Sequence, residues 1–120
     1  MTLFNTHLES MKCAEERKRQ ISQCFGLVLS STPGSTVIFG GDLNTRDSEL
    51  ASIDAPPEGT QVMWVETGSR KEVEFTWDMQ GNDNLEWVTT SKYKPRLRIV
   101  RLYIRHGAEK AVRVFSCLNV

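Results

Sequence analysis

Residues that could act on a phosphate ester follow directly after one apolar segment of the chain. The segment Val37–Phe39 has high β propensity and predicts a buried strand. The pair Gly40-Gly41 then allows a sharp turn or close backbone packing, and Asp42 and Asn44 follow two residues apart. A carboxylate and a carboxamide at the end of a core strand can polarise a water molecule and donate a hydrogen bond to a phosphoryl oxygen.

A purely structural interpretation of the same segment stays open. Asp and Asn are favoured turn residues, so Asp42 and Asn44 also suit an Asx turn that caps the strand. A short helix would then begin at Asp47 or Ser48. The catalytic and the capping interpretations have about equal weight from this segment alone.

A second polar cluster follows the first predicted strand, which covers Thr2 to His7. His7 is followed by Glu9 and Ser10, so a titratable group and two hydrogen-bonding groups stand together at this strand end. A single histidine is more often a structural hydrogen-bonding residue than a catalytic one. The position of the cluster after a strand is what makes His7 a candidate.

One amphipathic helix connects the two predicted strands. Residues 13–31 place apolar side chains at helical spacing from Ile21 onward, and the charged residues 15–19 are expected on the solvent side. Strand, helix and strand at this spacing predict a βαβ-like unit. Both strand ends, at His7 and at Asp42, are then expected on the same rim of one sheet.

The second half of the chain is less regular. Residues 51–61 predict a loop, and Val62–Val65 predicts a short core element. Trp77 suits either a buried core position or a platform on which a nucleic-acid base stacks. Residues 97–105 alternate as one strand, and a last strand is expected at residues 112–120.

Composition places the chain among globular proteins. Of its 120 residues, 39% are hydrophobic and 25% are charged, which argues against general disorder. Neither an apolar run of membrane-spanning length nor a secretory leader is visible, so no membrane is expected as a partner. The three cysteines have no C-x-x-C spacing and are expected as reduced thiols.

Charge is divided unevenly along the chain, although the formal net charge is zero. Residues 1–90 contain 7 Lys/Arg and 14 Asp/Glu, whereas residues 91–120 contain 8 Lys/Arg and the single acid Glu109. A basic segment of this kind attracts phosphate backbones. It could equally neutralise the acidic body of the chain, which is the commoner fate of such runs.

Three separated segments together resemble the endonuclease/exonuclease/phosphatase superfamily. They are N-T-H-L-E-S at 5–10, G-D-L-N-T-R-D at 41–47 and T-W-D at 76–78. Within the superfamily, Arg46-Asp47 after Asp-x-Asn and the later T-W-D are most like the branch of 5′-acting tyrosyl-DNA phosphodiesterases. The resemblance runs from about residue 3 to residue 105.

The resemblance implies part of a two-sheet α/β sandwich whose active site lies at one rim. It implies Mg²⁺-dependent (or Mn²⁺-dependent) hydrolysis, in DNA repair, of the bond between a protein tyrosine and a DNA 5′ phosphate. Asp42 would activate water, while Asn44 and His7 would contact the phosphoryl oxygens. The DNA 5′ end would lie against Arg46 and residues 7–12, and Trp77 would belong to the substrate region. The substrate-binding residues implied are therefore Glu9, Ser10, Arg46 and Trp77. The expected location is the nucleus, with the cytoplasm as a second one.

The chain also departs from the superfamily. The amino-terminal half with its magnesium-binding glutamate has no counterpart, the closing Ser-Asp-His motif is absent, and Val100 stands where relatives carry an acid. Residues 1–120 are therefore interpreted as a single partial phosphodiesterase domain, the middle of an enzyme, with metal ligands and oligomeric state undetermined. The alternatives are a catalytically dead remnant that binds nucleic acid weakly, or a phosphatase or sphingomyelinase of the same superfamily.

Overall fold

The structure is a computed structural model that describes residues 1–82, 84 and 92–108. The strands and helices are β1 (Thr2–His7), α1 (Ala14–Ser30), β2 (Val37–Asp42), α2 (Asp47–Ala51), β3 (Gln61–Val62), α3 (Met63–Glu66), a 3₁₀ turn (Lys71–Val73), β4 (Trp77–Asp78), β5 (Arg96–Leu97) and β6 (Val100–Arg105).

The main sheet has four strands in the order β1-β2-β6-β3. Strands β1 and β2 are parallel, with Thr2 opposite Val37 and His7 opposite Asp42, while β6 runs antiparallel to both β2 and β3. Strands β4 and β5 form a separate two-stranded sheet. The mixed arrangement confirms the α/β class and the strand-helix-strand unit inferred from the sequence.

Helix α1 covers one face of the main sheet and closes the hydrophobic core. Phe25 on the helix meets Phe39 of β2 and Tyr103 of β6, with ring centroids 5.5 Å and 5.0 Å away in edge-to-face geometry. Ile21 and Val28 are buried beside it. Aromatic clusters of this kind supply much of the burial that holds a helix on a sheet.

Two positions of α1 differ from the sequence prediction. Arg17 was expected on the solvent side with the other charged residues, but it is only 2% exposed. Its guanidinium can be buried because the Glu49 carboxylate and two backbone carbonyl oxygens accept hydrogen bonds from it. Leu29, expected on the apolar stripe, is 49% exposed. The buried stripe therefore begins one helical turn earlier than its apolar residues indicate.

The predicted strand at residues 97–105 is wrong as a single element. The chain leaves the small sheet after Leu97 and enters the main sheet at Val100. The Thr76 hydroxyl oxygen accepts the backbone N–H groups of both Ile99 and Val100, each at 3.0 Å. This side-chain acceptor replaces a strand partner at the point where the backbone crosses between the sheets.

The expected core element at Val62–Val65 is confirmed only at Val62, which is partly buried against the core. The segment is divided between β3 and α3, none of the α3 residues is buried, and Val65 is mostly exposed. The expected last strand at 112–120 lies outside the described residues. Cys13 and Cys24 are free thiols, as expected. Within the described ranges no helix is long and apolar enough to cross a membrane.

The sheet face opposite α1 exposes apolar side chains. In the observed register, Leu3, Val100 and Leu102 belong to the face away from Phe39 and Tyr103. Leu3 is 65% exposed, Val100 44% and Leu102 49%. A contiguous apolar sheet face of this kind favours association with a further layer.

We expect the 120-residue chain to self-associate through this face. Replacing Leu102 with Lys should shift the chain toward monomer in sedimentation velocity, since a charge on this face opposes burial. The matched control is Leu27→Lys, which alters another exposed leucine on the outer side of α1. A chain that stays monomeric at every concentration and melts sharply would contradict the expectation.

Candidate active site

The ends of β1 and β2 bring the two strongest site candidates together. His7 and Asp42 are register neighbours across the parallel pair. The His7 Nε2 atom lies 3.8 Å from Asp42 Oδ2, a separation longer than a direct hydrogen bond. The His7 side chain is 72% exposed and that of Asp42 is 38% exposed, so both groups are accessible to a ligand at this edge of the sheet.

Gly41 allows the two strands to approach at this point. Its φ of +140° is rarely adopted by residues with a side chain, and an added Cβ would lie 1.9 Å from the Thr6 carbonyl oxygen. The close packing inferred from the two glycines is therefore present at Gly41. It is what places Asp42 beside His7.

Asn44 connects the end of β2 to the loop that follows β1. Its backbone N–H donates to Asp42 Oδ1 at 3.3 Å, and its side-chain Nδ2 donates to the Leu8 carbonyl oxygen at 3.0 Å. The Asx turn of the structural interpretation is thus formed, and α2 begins at Asp47 as that interpretation expects. The same contacts hold the carboxamide in place, so the turn and a phosphate-binding role are compatible.

Four predicted site residues line one open cavity of about 240 Å³ beside this turn. They come from the loop after β1, the loop after β2 and strand β4. The lining residues are Ser10, Met11, Arg17, Asn44, Arg46, Trp77, Leu97 and Ile99. The apolar and cationic members of this set suit a flat base or ring that carries a phosphate.

Glu9 is the predicted substrate residue that does not line this cavity. Its carboxylate accepts the Ser10 N–H at 3.3 Å, and its own backbone N–H donates to the Gln20 side chain at 3.0 Å. Trp77 is half-buried, between the core and the platform positions considered for it.

A buried ion pair behind the cavity was missed by sequence reasoning. Arg17 donates to both carboxylate oxygens of Glu49, at 2.6 Å and 3.2 Å. Burial alone would raise the pKa of Glu49, but the hydrogen bonds from Arg17 and from the Arg46 backbone outweigh it and hold that pKa below its usual range. One signal was available: Arg17 stands four residues before Ile21, on the buried stripe of α1.

Asp47 is a second carboxylate on the same short segment. It accepts hydrogen bonds from Arg101 of β6 and from Arg98, which precedes that strand. Asp47 Oδ1 accepts Arg101 at 2.8 Å and Arg98 at 3.4 Å, and Arg101 also donates to the Thr45 carbonyl oxygen. Burial raises the pKa of Asp47, yet the Arg101 hydrogen bond and both positive charges lower it overall. The segment after Asn44 is therefore held from two sides.

The four described arginines of the basic segment are engaged within the chain. Besides Arg98 and Arg101, Arg96 forms a two-point ion pair with Asp78, and Arg105 donates to carbonyl oxygens at the end of α1. Among the described residues these contacts favour neutralisation of the acidic body over an open phosphate-binding stripe.

The described residues do not by themselves form a magnesium site. Mg²⁺ prefers octahedral coordination by oxygen atoms, usually including carboxylates. Across residues 1–82, 84 and 92–108, no group of three or more His, Cys, Asp or Glu side chains is placed to hold a metal ion. Asp42 contributes one carboxylate, and that carboxylate already accepts the Asn44 N–H.

Comparison with known proteins shows which proteins this chain is similar to in sequence and fold. No family model matches the chain. It superimposes on Danio rerio tyrosyl-DNA phosphodiesterase 2 complexed with a single-stranded DNA product, with a TM-score of 0.76 and 32% identity over 91% of this chain and 42% of that one. For the Caenorhabditis elegans enzyme the TM-score is 0.74, with 36% identity over 88% of this chain and 32% of that one. The chain has the α/β fold of the endonuclease/exonuclease/phosphatase type.

Its sequence is similar to those of the 5′-tyrosyl-DNA phosphodiesterases, as its motifs predicted. It is 35% identical to the Caenorhabditis briggsae enzyme over 97% of its own length and 34% of that protein. It is 36% identical to the Gallus gallus tyrosyl-DNA phosphodiesterase 2 over 91% of its length and 29% of that protein. The chain spans about a third of the length of these relatives.

Replacing Gly41 with Ala tests the packing that places Asp42 beside His7. The added methyl group would collide with the Thr6 carbonyl oxygen, so we expect the β1–β2 pairing to weaken and the melting temperature to fall. Gly26→Ala is the matched control, because its Cβ meets nothing within 4 Å and helix propensity rises. Equal melting temperatures for Gly41→Ala and the wild type would contradict this account.

The Arg17–Glu49 pair should make stability depend on acid pH. The folded-state pKa of Glu49 is lowered, so its stabilising contribution is complete above the ordinary pKa of about 4.3 and is lost as pH falls through the lowered folded value. Urea melts between pH 7 and pH 3 should show less loss for Glu49→Gln than for the wild type. Identical pH profiles would show that Glu49 does not contribute this dependence.

Proposed function

We propose that this chain provides the DNA-end-binding part of the active site of a 5′-tyrosyl-DNA phosphodiesterase, a hydrolase of DNA repair. The observation that supports the proposal is the meeting of three separated motif segments at one edge of the sheet. His7 faces Asp42, Asn44 joins the two loops, and Arg46 and Trp77 line the adjoining cavity. Relatives of that name match nearly the whole chain.

In this proposal Asp42 orients and activates the attacking water molecule. Its carboxylate is partly exposed at the strand end, and the Asn44 N–H fixes one of its oxygens. Asn44 and His7 donate hydrogen bonds to the phosphoryl oxygens as negative charge develops there. A carboxamide nitrogen has two N–H donors, so the bond to Leu8 orients Asn44 and leaves a second donor for the phosphate. Phosphoryl transfer needs mainly this positioning and electrostatic stabilisation.

The substrate-side residues receive the 5′ end of the strand. Arg46 supplies a positive charge and Ser10 a hydroxyl group on the cavity wall, and Trp77 offers an aromatic surface for a base or for the tyrosine of the adduct. Glu9 acts indirectly, because its carboxylate accepts the backbone N–H of Ser10. The proposed partner is thus a DNA 5′ end that carries a covalent tyrosyl-protein adduct.

Dependence on magnesium (or manganese) is proposed from the resemblance alone. The same holds for the location, which is the nucleus, with the cytoplasm as a second one. The described residues do not fit a complete magnesium site. That same observation favours a second function for the 120-residue chain: binding a DNA 5′ end without hydrolysing it.

Binding of a 5′-phosphorylated single-stranded oligonucleotide, measured by fluorescence anisotropy, tests the proposal. We expect tighter binding than for the same strand with a 5′ hydroxyl. Arg46→Ala should weaken the binding about 10- to 100-fold, as expected for loss of one charged hydrogen bond, and Trp77→Ala should also weaken it. Arg70→Ala is the matched control, because Arg70 pairs with Glu72 and does not line the cavity. Equal effects of Arg46→Ala and Arg70→Ala would contradict the proposed site.

The same preparation should be incubated with a 5′-phosphotyrosyl oligonucleotide and Mg²⁺. We expect negligible release of tyrosine from the 120-residue chain. Turnover in the wild type that is lost in Asp42→Ala would instead show that this chain is catalytically sufficient, and the binding-only alternative would be rejected.

A further inference from the structure

Arg17 forms several directed hydrogen bonds within the fold, which a charged side chain that served only solubility would not need. It projects from the first turns of α1 and is almost fully buried. Besides its two hydrogen bonds to Glu49, Nη1 donates to the Met11 carbonyl oxygen at 2.9 Å and to the Glu9 carbonyl oxygen at 3.4 Å. One guanidinium group thereby holds the backbone of the loop after β1.

Glu49 extends this network to the loop after β2. Its Oε2 atom accepts the backbone N–H of Arg46 at 3.1 Å, which fixes the first turn of α2. Ser10 and Met11 from the loop after β1, Arg46 from the loop after β2 and Arg17 from α1 all line the same cavity. The ion pair therefore connects the two loops that the proposed substrate would have to touch at the same time.

We propose that Arg17 and Glu49 are positioning residues that set the spacing between the Ser10 loop and Arg46, so that both can engage one 5′ phosphate. The inference rests on the proposed function, since it assigns the pair a role at that site. Neither residue is proposed to touch the substrate. Their effect is exerted through the loop carbonyl oxygens and through the Arg46 backbone.

The energetics of buried ion pairs support a positioning role. Removing two charges from water costs about as much as their attraction returns, so apolar pairs of similar size are often equally stable or more stable. Stability alone therefore gives little reason for Arg17 and Glu49 at these positions. Two apolar side chains could fill the same space, but they could not bind the carbonyl oxygens of Glu9 and Met11.

The test separates positioning from stability with a double variant. Arg17→Met leaves Glu49 without its partner and should lower the melting temperature, whereas Arg17→Met combined with Glu49→Met removes both charges and should recover most of the loss. The matched control is Glu16→Met combined with Arg19→Met, which removes an exposed ion pair from the same helix. Each protein is assayed well below its melting temperature.

The measured quantity is the 5′-phosphate preference, defined as the Kd for a 5′-hydroxyl oligonucleotide divided by that for its 5′-phosphorylated form. We expect the preference to fall about tenfold or more in both Arg17 variants, the effect of losing one charged hydrogen bond, and to stay unchanged in the control. Hydrogen exchange should be faster over residues 9–11 and 44–49 in the double variant.

A double variant that melts like the wild type and keeps the full 5′-phosphate preference would overturn the inference. A wild-type chain without any such preference would instead overturn the proposed function. In that case the hydrogen-exchange rates of residues 9–11 and 44–49 test the inference about Arg17 and Glu49. Unchanged exchange over both loops would reject it, and faster exchange would show that the pair holds the two loops whatever ligand they bind.

Discussion

The parallel pairing of β1 with β2 is the constraint on which the rest of the site depends. Parallel strands end at the same edge of a sheet, so the loops that follow them must meet. Gly41 permits this pairing to continue to its last residue, because its backbone approaches the Thr6 carbonyl oxygen closely. His7, Asp42 and Asn44 are neighbours as a consequence, although more than 30 residues separate the first from the others.

Two arginine–carboxylate systems then hold the segment after Asn44. Arg17 reaches it from α1 through Glu49, and Arg101 reaches it from β6 through Asp47. Arg46 directly precedes Asp47 and stands three residues before Glu49 in the sequence. The elements that form the core therefore also restrain the loop that would contact a phosphate. The apolar face of the sheet away from α1 agrees with the similarity to about one third of a longer protein.

Local sequence patterns were sufficient for the elements that position the site and insufficient for its supporting contacts. The apolar runs of β1, α1 and β2 predicted the strand-helix-strand unit and hence the meeting of His7 and Asp42. The position of Arg17 one turn before Ile21 indicated the buried side of α1, but its partner could not be predicted, because Glu49 is 32 residues away and the residue type favours solvent. The break after Leu97 likewise depends on the distant Thr76 hydroxyl group.

The most direct test of the central claim is an NMR titration of the 120-residue chain with a 5′-phosphorylated single-stranded oligonucleotide. The account predicts that the largest amide shift changes occur at residues 7–12 and 42–46, together with a change at the Trp77 indole. It also predicts that these changes diminish when the 5′ phosphate is absent. Shift changes confined to the basic residues 92–105, independent of the 5′ phosphate, would contradict it.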